Sequence, residues 1–320
     1  MKNKILILSA DPNSINSELI YKSWKKINKT LKKKIFIISN YKLLKEQYKK
    51  LNYSIKIRKI NNISEHINTT DLKVINVNLK FKNSFKVKKK DAADFIDETL
   101  TLGHKLALDK SIMGIINCPI NKNLFKKKIG ATEFFSSKCG LKKNTEVMLI
   151  RNDELSVSPI TTHINIKNVS KNINTEMIVA KIKLINSWYK KYLNIKPKIG
   201  LLGLNPHNDE LRKDSEEKKI IIPAKLKLKK KGINLDGPLV SDTVFINEYK
   251  KYDVIVGMYH DQVLAPFKTL YKFDAINITL GLNYLRVSPD HGTAINLIGK
   301  NKASPKSLLN CIDFVNKFKT

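Results

Sequence analysis

An α/β fold with a largely parallel sheet is what the amino-acid sequence predicts, on three observations. Strand-like apolar runs alternate with amphipathic helical runs along the chain, the order that builds parallel sheets covered by helices. Three of the strand-like runs, ITTH, GLNPH and GMYH, end in a histidine, and in such sheets functional groups gather beyond the carboxyl ends of strands. The 320 residues are enough for one large or two ordinary domains. No glycine- or proline-rich linker separates them, so any second domain is expected from the chain crossing over and back.

The elements follow in order. KILILSA reads as a first buried strand and SELIYKSWKKINKTLKK as one helix, then KIFIISN as a strand and YKLLKEQYKKL as a helix. DAADFIDETLTLGHKLALDK has helical spacing and leads into the strand IMGIINCPI. TEMIVAKIKLINSWYKKYL is a long helix before the strand KIGLLGLNPH. The run KLKLKKKG, Lys225 to Gly232, fits an exposed helix end, with lysines near the negative end of the dipole. YDVIVGMYH is a further strand, after which DQVLAPFK is expected to turn through Pro266 to Lys268, and SPKSLLNCIDFVNKFK closes the chain as a helix.

Composition excludes several classes. No apolar run approaches the ~20 residues that span a bilayer. The opening MKNKILILSADP has too short an apolar run for a signal peptide and no small-residue cleavage site, so a cytoplasmic protein without a membrane partner is expected. Three cysteines, Cys118, Cys139 and Cys311, form no CxxC pair, which argues against a disulfide framework or a zinc finger. The net charge of +32 rests on lysine, with arginine only at positions 58, 151, 212 and 286. Nucleic-acid readers favour arginine. Lysines spread among asparagines and isoleucines are read as compositional drift, and no nucleic-acid partner is expected. No GxGxxG is present, so a Rossmann dinucleotide site is unsupported.

His163, His207 and His260 are the first candidate constellation. Taken singly, each reads as a satisfied loop histidine. Taken together they read equally as three imidazole ligands of a catalytic divalent metal with open positions. The second constellation is Lys268 with Arg286. A solitary arginine in YLRVSPDHGTA suits either a structural salt bridge or a bound phosphate or carboxylate. DHGTA then supplies a small-residue turn where backbone N–H groups could meet a cofactor or phosphate.

Together CPINK (118–122), GATEFF (130–135), TTH (161–163), GLNPH (203–207), DGPLVSDTVF (236–245), MYHDQVLAPFK (258–268) and NITLGLNYLRVSPDHGTA (277–294) resemble the 4-hydroxythreonine-4-phosphate dehydrogenase (PdxA) family of vitamin B6 synthesis. The resemblance covers essentially the whole chain. It implies an isocitrate/isopropylmalate dehydrogenase-like fold, two interwoven α/β subdomains with a cleft between them, whose boundary the sequence does not mark. It also implies a homodimer with a shared active site. The implied reaction is oxidation and decarboxylation of 4-phosphooxy-L-threonine with NAD and a divalent metal (zinc, magnesium or cobalt). By the same resemblance His163, His207 and His260 bind the metal and Thr132, Lys268, Asn277 and Arg286 the substrate, while Asp290, Gly292 and Thr293 in the DHGTA turn are the cofactor candidates. Asp242, Asp261 and Lys268 are the catalytic candidates. The chain departs from the family at SADPNSINSEL, where the glycines are lost, at Ala131 in place of a histidine, at NPHNDE, and at NLIGKNKA. Two alternatives keep the resemblance: the same chemistry on a related 4-phospho-hydroxy acid, or a metal-binding paralogue without turnover. An HD-type phosphohydrolase, which His260-Asp261 alone would allow, is set aside because that family is helical.

Overall fold

The alternation in the sequence becomes alternate strands and helices. The structure, a computed structural model, describes residues 3–64, 69–125, 130–142 and 145–318. The chain divides into two units, Met1–Gly140 with Leu282–Phe318, and Leu141–Gly281.

The first unit begins with β1 (Lys4–Leu8), α1 (Asn16–Lys26), α2 (Lys29–Lys34), β2 (Ile35–Ser39), α3 (Tyr41–Lys50), β3 (Ile57–Ile60) and β4 (Leu72–Asn76). It continues through α4 (Lys89–Ala107), β5 (Ile112–Asn117) and α5 (Ala131–Lys138). The single helix expected over SELIYKSWKKINKTLKK is two. Asn28 is extended, and its side chain accepts from Leu31 N at 2.8 Å. That N-cap, worth about 1 kcal/mol, restarts the helix where continuation would place a poor helix former.

The second unit holds β6 (Val147–Arg151), β7 (Ser156–Pro159), α6 (Val169–Asn172), α7 (Thr175–Trp188), β8 (Ile199–Leu202) and α8 (Ile222–Lys229). Then come β9 (Leu235–Leu239), α9 (Ser241–Val244), β10 (Val254–Gly257), α10 (His260–Tyr271) and β11 (Ile276–Leu280). Its strand order is β11-β6-β7-β10-β8-β9. β7, β10, β8 and β9 are mutually parallel, whereas β11–β6 and β6–β7 pair antiparallel. The expected lysine-rich helix end is present, with Lys227 and Lys229 in the last turn of α8. The expected turn at Pro266 is not: α10 runs through it. An interior proline costs about 3 kcal/mol. Burial of Val263, Leu264 and Phe267 on that helix returns about 1.5–3 kcal/mol each, so packing overrides the breaker.

The first unit resumes with β12 (Arg286–Pro289) and α11 (Lys306–Lys317); Lys319, expected in that closing helix, lies outside the described residues. Its strand order is β3-β4-β2-β1-β5-β12, every pairing parallel. Central strands β2 and β5 are buried along their whole length, as parallel strands covered on both faces must be. α4 lies against β1 at Gly103, where a Cβ would come within 2.4 Å of Leu8 Cδ2. Among the described residues no helix is long and apolar enough to cross a membrane.

Candidate active site

In the second unit, β7, β10 and β8 are neighbours running the same way, so the residues after each strand emerge on one edge of the sheet. His163 follows β7, His260 opens α10 directly after β10, and His207 follows β8. Asp242 follows β9, which is paired parallel to β8. Thr161 ties the first two loops: its Oγ1 donates to Met258 O at 2.7 Å, its N to the same carbonyl at 3.1 Å, and Ile160 N to Gly257 O at 2.8 Å. Lys181 on α7, buried, donates to Ile160 O at 2.9 Å.

The rings of His163 and His260 lie 5.8 Å apart, tilted by 38°. Two imidazoles ligating one ion at 2.0–2.1 Å would have centres about 5–6 Å apart, so this spacing suits a shared cation. His260 Nδ1 is 2.6 Å from Asp261 Oδ1, which leaves Nε2 as its outward face. The third imidazole stands elsewhere: His207 Nε2 faces Asp242 Oδ2 at 3.8 Å. Among the described residues no three His, Cys, Asp or Glu side chains are close enough to hold one ion. Imidazoles are donors of the kind a divalent metal takes; His163 and His260 lie at a spacing one ion could bridge, and His207 shares their sheet edge but not their cluster.

His207 owes its position to an unusual backbone. His207, Asn208, Asp209, Glu210 and Leu211 all have φ between 46° and 58°, a left-handed turn that disfavours L-residues by about 1–2 kcal/mol each. Strain of this kind persists only where the surroundings over-determine it. Glu217, fully buried, does so. Its Oε1 accepts from Leu204 N at 2.7 Å and Asn205 N at 2.8 Å, and its Oε2 from Asn205 Nδ2 at 3.0 Å. Asn208 Nδ2 donates to Pro238 O at 3.1 Å.

The remaining second-unit candidates lie on α10 and β11. Lys268 is eight residues into α10 from His260, about 12 Å along the helix, with Nζ over the Phe273 ring at 5.5 Å. It does not stand beyond a turn as expected. Asn277 sits in β11 opposite Ile150, and its Oδ1 is buried without a hydrogen-bond partner among the described residues.

In the first unit Arg286 opens β12 and is 2% exposed. Its Nε donates to Asn117 Oδ1 at 2.5 Å and its Nη1 to Thr132 Oγ1 at 3.0 Å, with Cζ 5.6 Å from the Phe135 ring centre. Burial lowers its pKa to about 10, so it stays cationic at neutral pH. Thr132 is in the first turn of α5, after Ala131. Asp11 pins the neighbouring CPINK loop: its Oδ2 accepts from Asn121 N at 2.9 Å, and burial pushes its carboxyl up. Asp290 N donates to Ser307 Oγ at 3.1 Å. Beyond it, a Cβ on Gly292 would meet no atom within 4 Å, Thr293 is buried, and Ala294 is left-handed at φ 46°. Gly292 thus fronts open space, compatible with a ligand approaching the backbone, and nothing there is specific to a nicotinamide.

Sequence reasoning missed Glu217, Thr161 and Asp11, whose roles are made by backbone partners elsewhere in the chain, and Asn117, whose role is made by the Arg286 side chain. Only the register of Asp11 just after a buried strand hinted at one. Glu217→Ala is expected to lower unfolding free energy by about 3 kcal/mol, since two backbone donors lose their acceptor. Glu217→Gln, which keeps Oε1, should lose less. Urea denaturation followed by circular dichroism checks both, and an unchanged midpoint in Glu217→Ala would contradict the role.

The chain matches the model for the pyridoxal phosphate biosynthetic protein PdxA over residues 10–315. It is 36% identical over 320 aligned residues to a 4-hydroxythreonine-4-phosphate dehydrogenase from a Sulfurihydrogenibium species, covering 97% of this chain and 96% of that one. Its identity to the enzyme of that name from Aquifex aeolicus is 38%, with 98% of each covered. Among solved structures, the 4-hydroxythreonine-4-phosphate dehydrogenase of Klebsiella pneumoniae superposes with a TM-score of 0.84 at 27% identity over 98% of both chains. That of Burkholderia phymatum gives 0.79 at 27% identity, covering 100% of this chain and 99% of the other. A family match over nearly the whole chain, joined to these full-length relatives, means that the chain belongs to the PdxA family of pyridoxal phosphate biosynthetic oxidoreductases.

Proposed function

We propose that the chain oxidises and decarboxylates 4-phosphooxy-L-threonine to 3-amino-2-oxopropyl phosphate with NAD, in pyridoxal phosphate synthesis. Beside family membership, one observation carries this reading: three histidines follow three neighbouring parallel strands on one sheet edge.

His163, His207 and His260 are the residues that would hold a divalent ion, zinc, magnesium or cobalt. Bound there, such an ion would lower the pKa of an alcohol and stabilise developing negative charge, while NAD would accept hydride. The chain's own groups do the rest. Asp261 Oδ1, 2.6 Å from His260 Nδ1, fixes the tautomer that turns Nε2 outward. Asp242, whose Oδ2 lies 3.8 Å from His207 Nε2, is the candidate to take up the proton released from the hydroxyl. Arg286, cationic and bonded to Asn117 and Thr132, supplies a preorganised positive charge for the phosphate or carboxylate. Lys268 adds a second cation. The buried Asn277 Oδ1 is an acceptor suited to an ammonium or hydroxyl. Asp290, Gly292 and Thr293 are assigned to the cofactor on the open turn after β12. The β-keto acid left by oxidation loses carbon dioxide as its carboxylate carbon departs.

Purified protein given 4-phosphooxy-L-threonine and NAD should gain nicotinamide absorbance only with a divalent metal, and a chelator should abolish it. His207→Ala should lose metal content and turnover together. Full metal content in that variant would remove His207 from the ligand set, and metal binding without turnover in the parent would favour a non-catalytic paralogue.

A homodimer with a shared active site belongs to the same proposal. Light scattering at micromolar concentration should return about twice the chain mass, and a fully active monomer would exclude it. Charge does not forbid this association, because lysines on solvated faces are screened within ~8 Å at physiological salt.

A second reading, a related 4-phospho-hydroxy acid as substrate, is favoured by Ala131, which offers no donor at the start of α5 beside Thr132. A hydrogen bond to a charged group is worth about 1.5–3 kcal/mol, roughly ten- to a hundredfold in affinity. Ala131→His is therefore expected to lower KM for 4-phosphooxy-L-threonine. No gain, with faster turnover of another 4-phospho-hydroxy acid by the parent, would decide for the second reading.

A further inference from the structure

Gln262 is the third residue of α10, 9% exposed, and its side-chain amide is used on every side. Oε1 accepts from Met258 N at 2.6 Å. Nε2 donates to Gly203 O at 2.7 Å and to Ser241 Oγ at 2.8 Å. The orientation of the amide is unambiguous, since a backbone N–H requires the oxygen and a backbone carbonyl requires the NH2. A capping glutamine ordinarily reaches back to its own helix start. This one also reaches two other strands' loops, 59 and 21 residues away.

Those contacts fall beside the histidines. Met258 is two residues before His260, Gly203 four before His207, and Ser241 adjoins Asp242, the partner of His207. Met258 O in turn accepts from Thr161, two residues before His163. All four strand-end loops are thus joined through Gln262 and the two backbone groups of Met258. A carboxylate of the same length could accept from Met258 N but would face Gly203 O with no proton. An apolar side chain would leave Met258 N and Gly203 O, both buried, and the half-buried Ser241 hydroxyl without this partner.

We propose that Gln262 is the positioning residue of this edge, and that its amide sets the separation of the loops carrying His207, Asp242 and His260. This rests on, and deepens, the reading of those histidines as metal ligands. It touches neither metal nor substrate itself. Its effect on them runs through the outer support that metal ligands need, whose loss typically weakens metal binding ten- to a hundredfold.

The test uses full-length Gln262→Glu and Gln262→Met. Zn2+ affinity is measured without substrate by competition with a chromophoric chelator, and backbone amide exchange by mass spectrometry on metal-free protein. Both variants are expected to stay folded, bind Zn2+ ten- to a hundredfold more weakly, and lose kcat by more than KM rises. Exchange should quicken in residues 203–211 and 240–245 together, and not in α4. Parental Zn2+ affinity with unchanged exchange in both segments would overturn the proposal. If the parent itself binds no Zn2+, the ligand reading fails, and exchange alone decides: faster in both segments supports the tie, unchanged rejects it. Should the Gln262 variants not fold, Ser241→Ala removes one of the three bonds from a half-buried position. Faster exchange in 240–245 with weaker Zn2+ binding then supports the tie, and no change in either overturns it.

Discussion

Parallel pairing of β7, β10, β8 and β9 is the constraint from which the candidate site follows. Strands that run the same way must deliver their following residues to the same edge, whatever the intervening connections do. Here those connections are long, a helix and more in each case, yet His163, His260, His207 and Asp242 return to one side. Pairing alone sets only which edge. The spacing along it comes from hydrogen bonds among the loops, Thr161 to Met258 and Gln262 to Met258, Gly203 and Ser241. All but the half-buried bond to Ser241 are buried, so breaking one of them leaves an unmet polar group, and the loops are held more firmly than exposed loops usually are.

What the sequence made legible follows the same division. Alternation of apolar and amphipathic runs revealed the strands and helices, and strand-then-histidine revealed the edge, because both are local patterns. Supports that depend on distant partners were not legible. Glu217 sits in DSEEKK and reads as an ordinary charged surface residue, yet it is buried and caps the backbone before His207. Nothing local distinguishes it from Glu216 beside it. The two misread elements failed for opposite reasons. At Asn28 a single side-chain cap outweighed a periodic helical pattern, whereas at Pro266 packing of Val263, Leu264 and Phe267 outweighed a local breaker.

The segment Ser9–Leu19 is held in place by its own short polar side chains. Asn13 Oδ1 accepts from Val87 N at 2.8 Å and its Nδ2 donates to Val87 O at 2.9 Å, a two-point side-chain clasp on that backbone. Ser14 Oγ donates to Asp11 O, and Asn16 Nδ2 to Pro119 O. Short polar side chains thus bond the backbone of the segments around them. The loop stays anchored to CPINK through Asp11 and Asn16.

The scarcity of arginine sharpens the meaning of the few that remain. Arg58 and Arg212 make surface pairs with Asp71 and Asp209, positions where lysine would serve nearly as well. Arg151 and Arg286 differ: each bonds two groups at once and lies near an aromatic ring, and Arg286 does so through two nitrogens, which needs the planar fork of a guanidinium. Charge retention gives a second reason at position 286. Lys73, an interior lysine over Phe36, is pulled down by burial to about 8, close to physiological pH. Burial lowers Arg286 only to about 10. A lysine in that pocket would start about two units lower and risk losing its proton when the surroundings are apolar. In a chain where lysine supplies nearly every solvated cation, a buried positive charge is the place where that exchange fails.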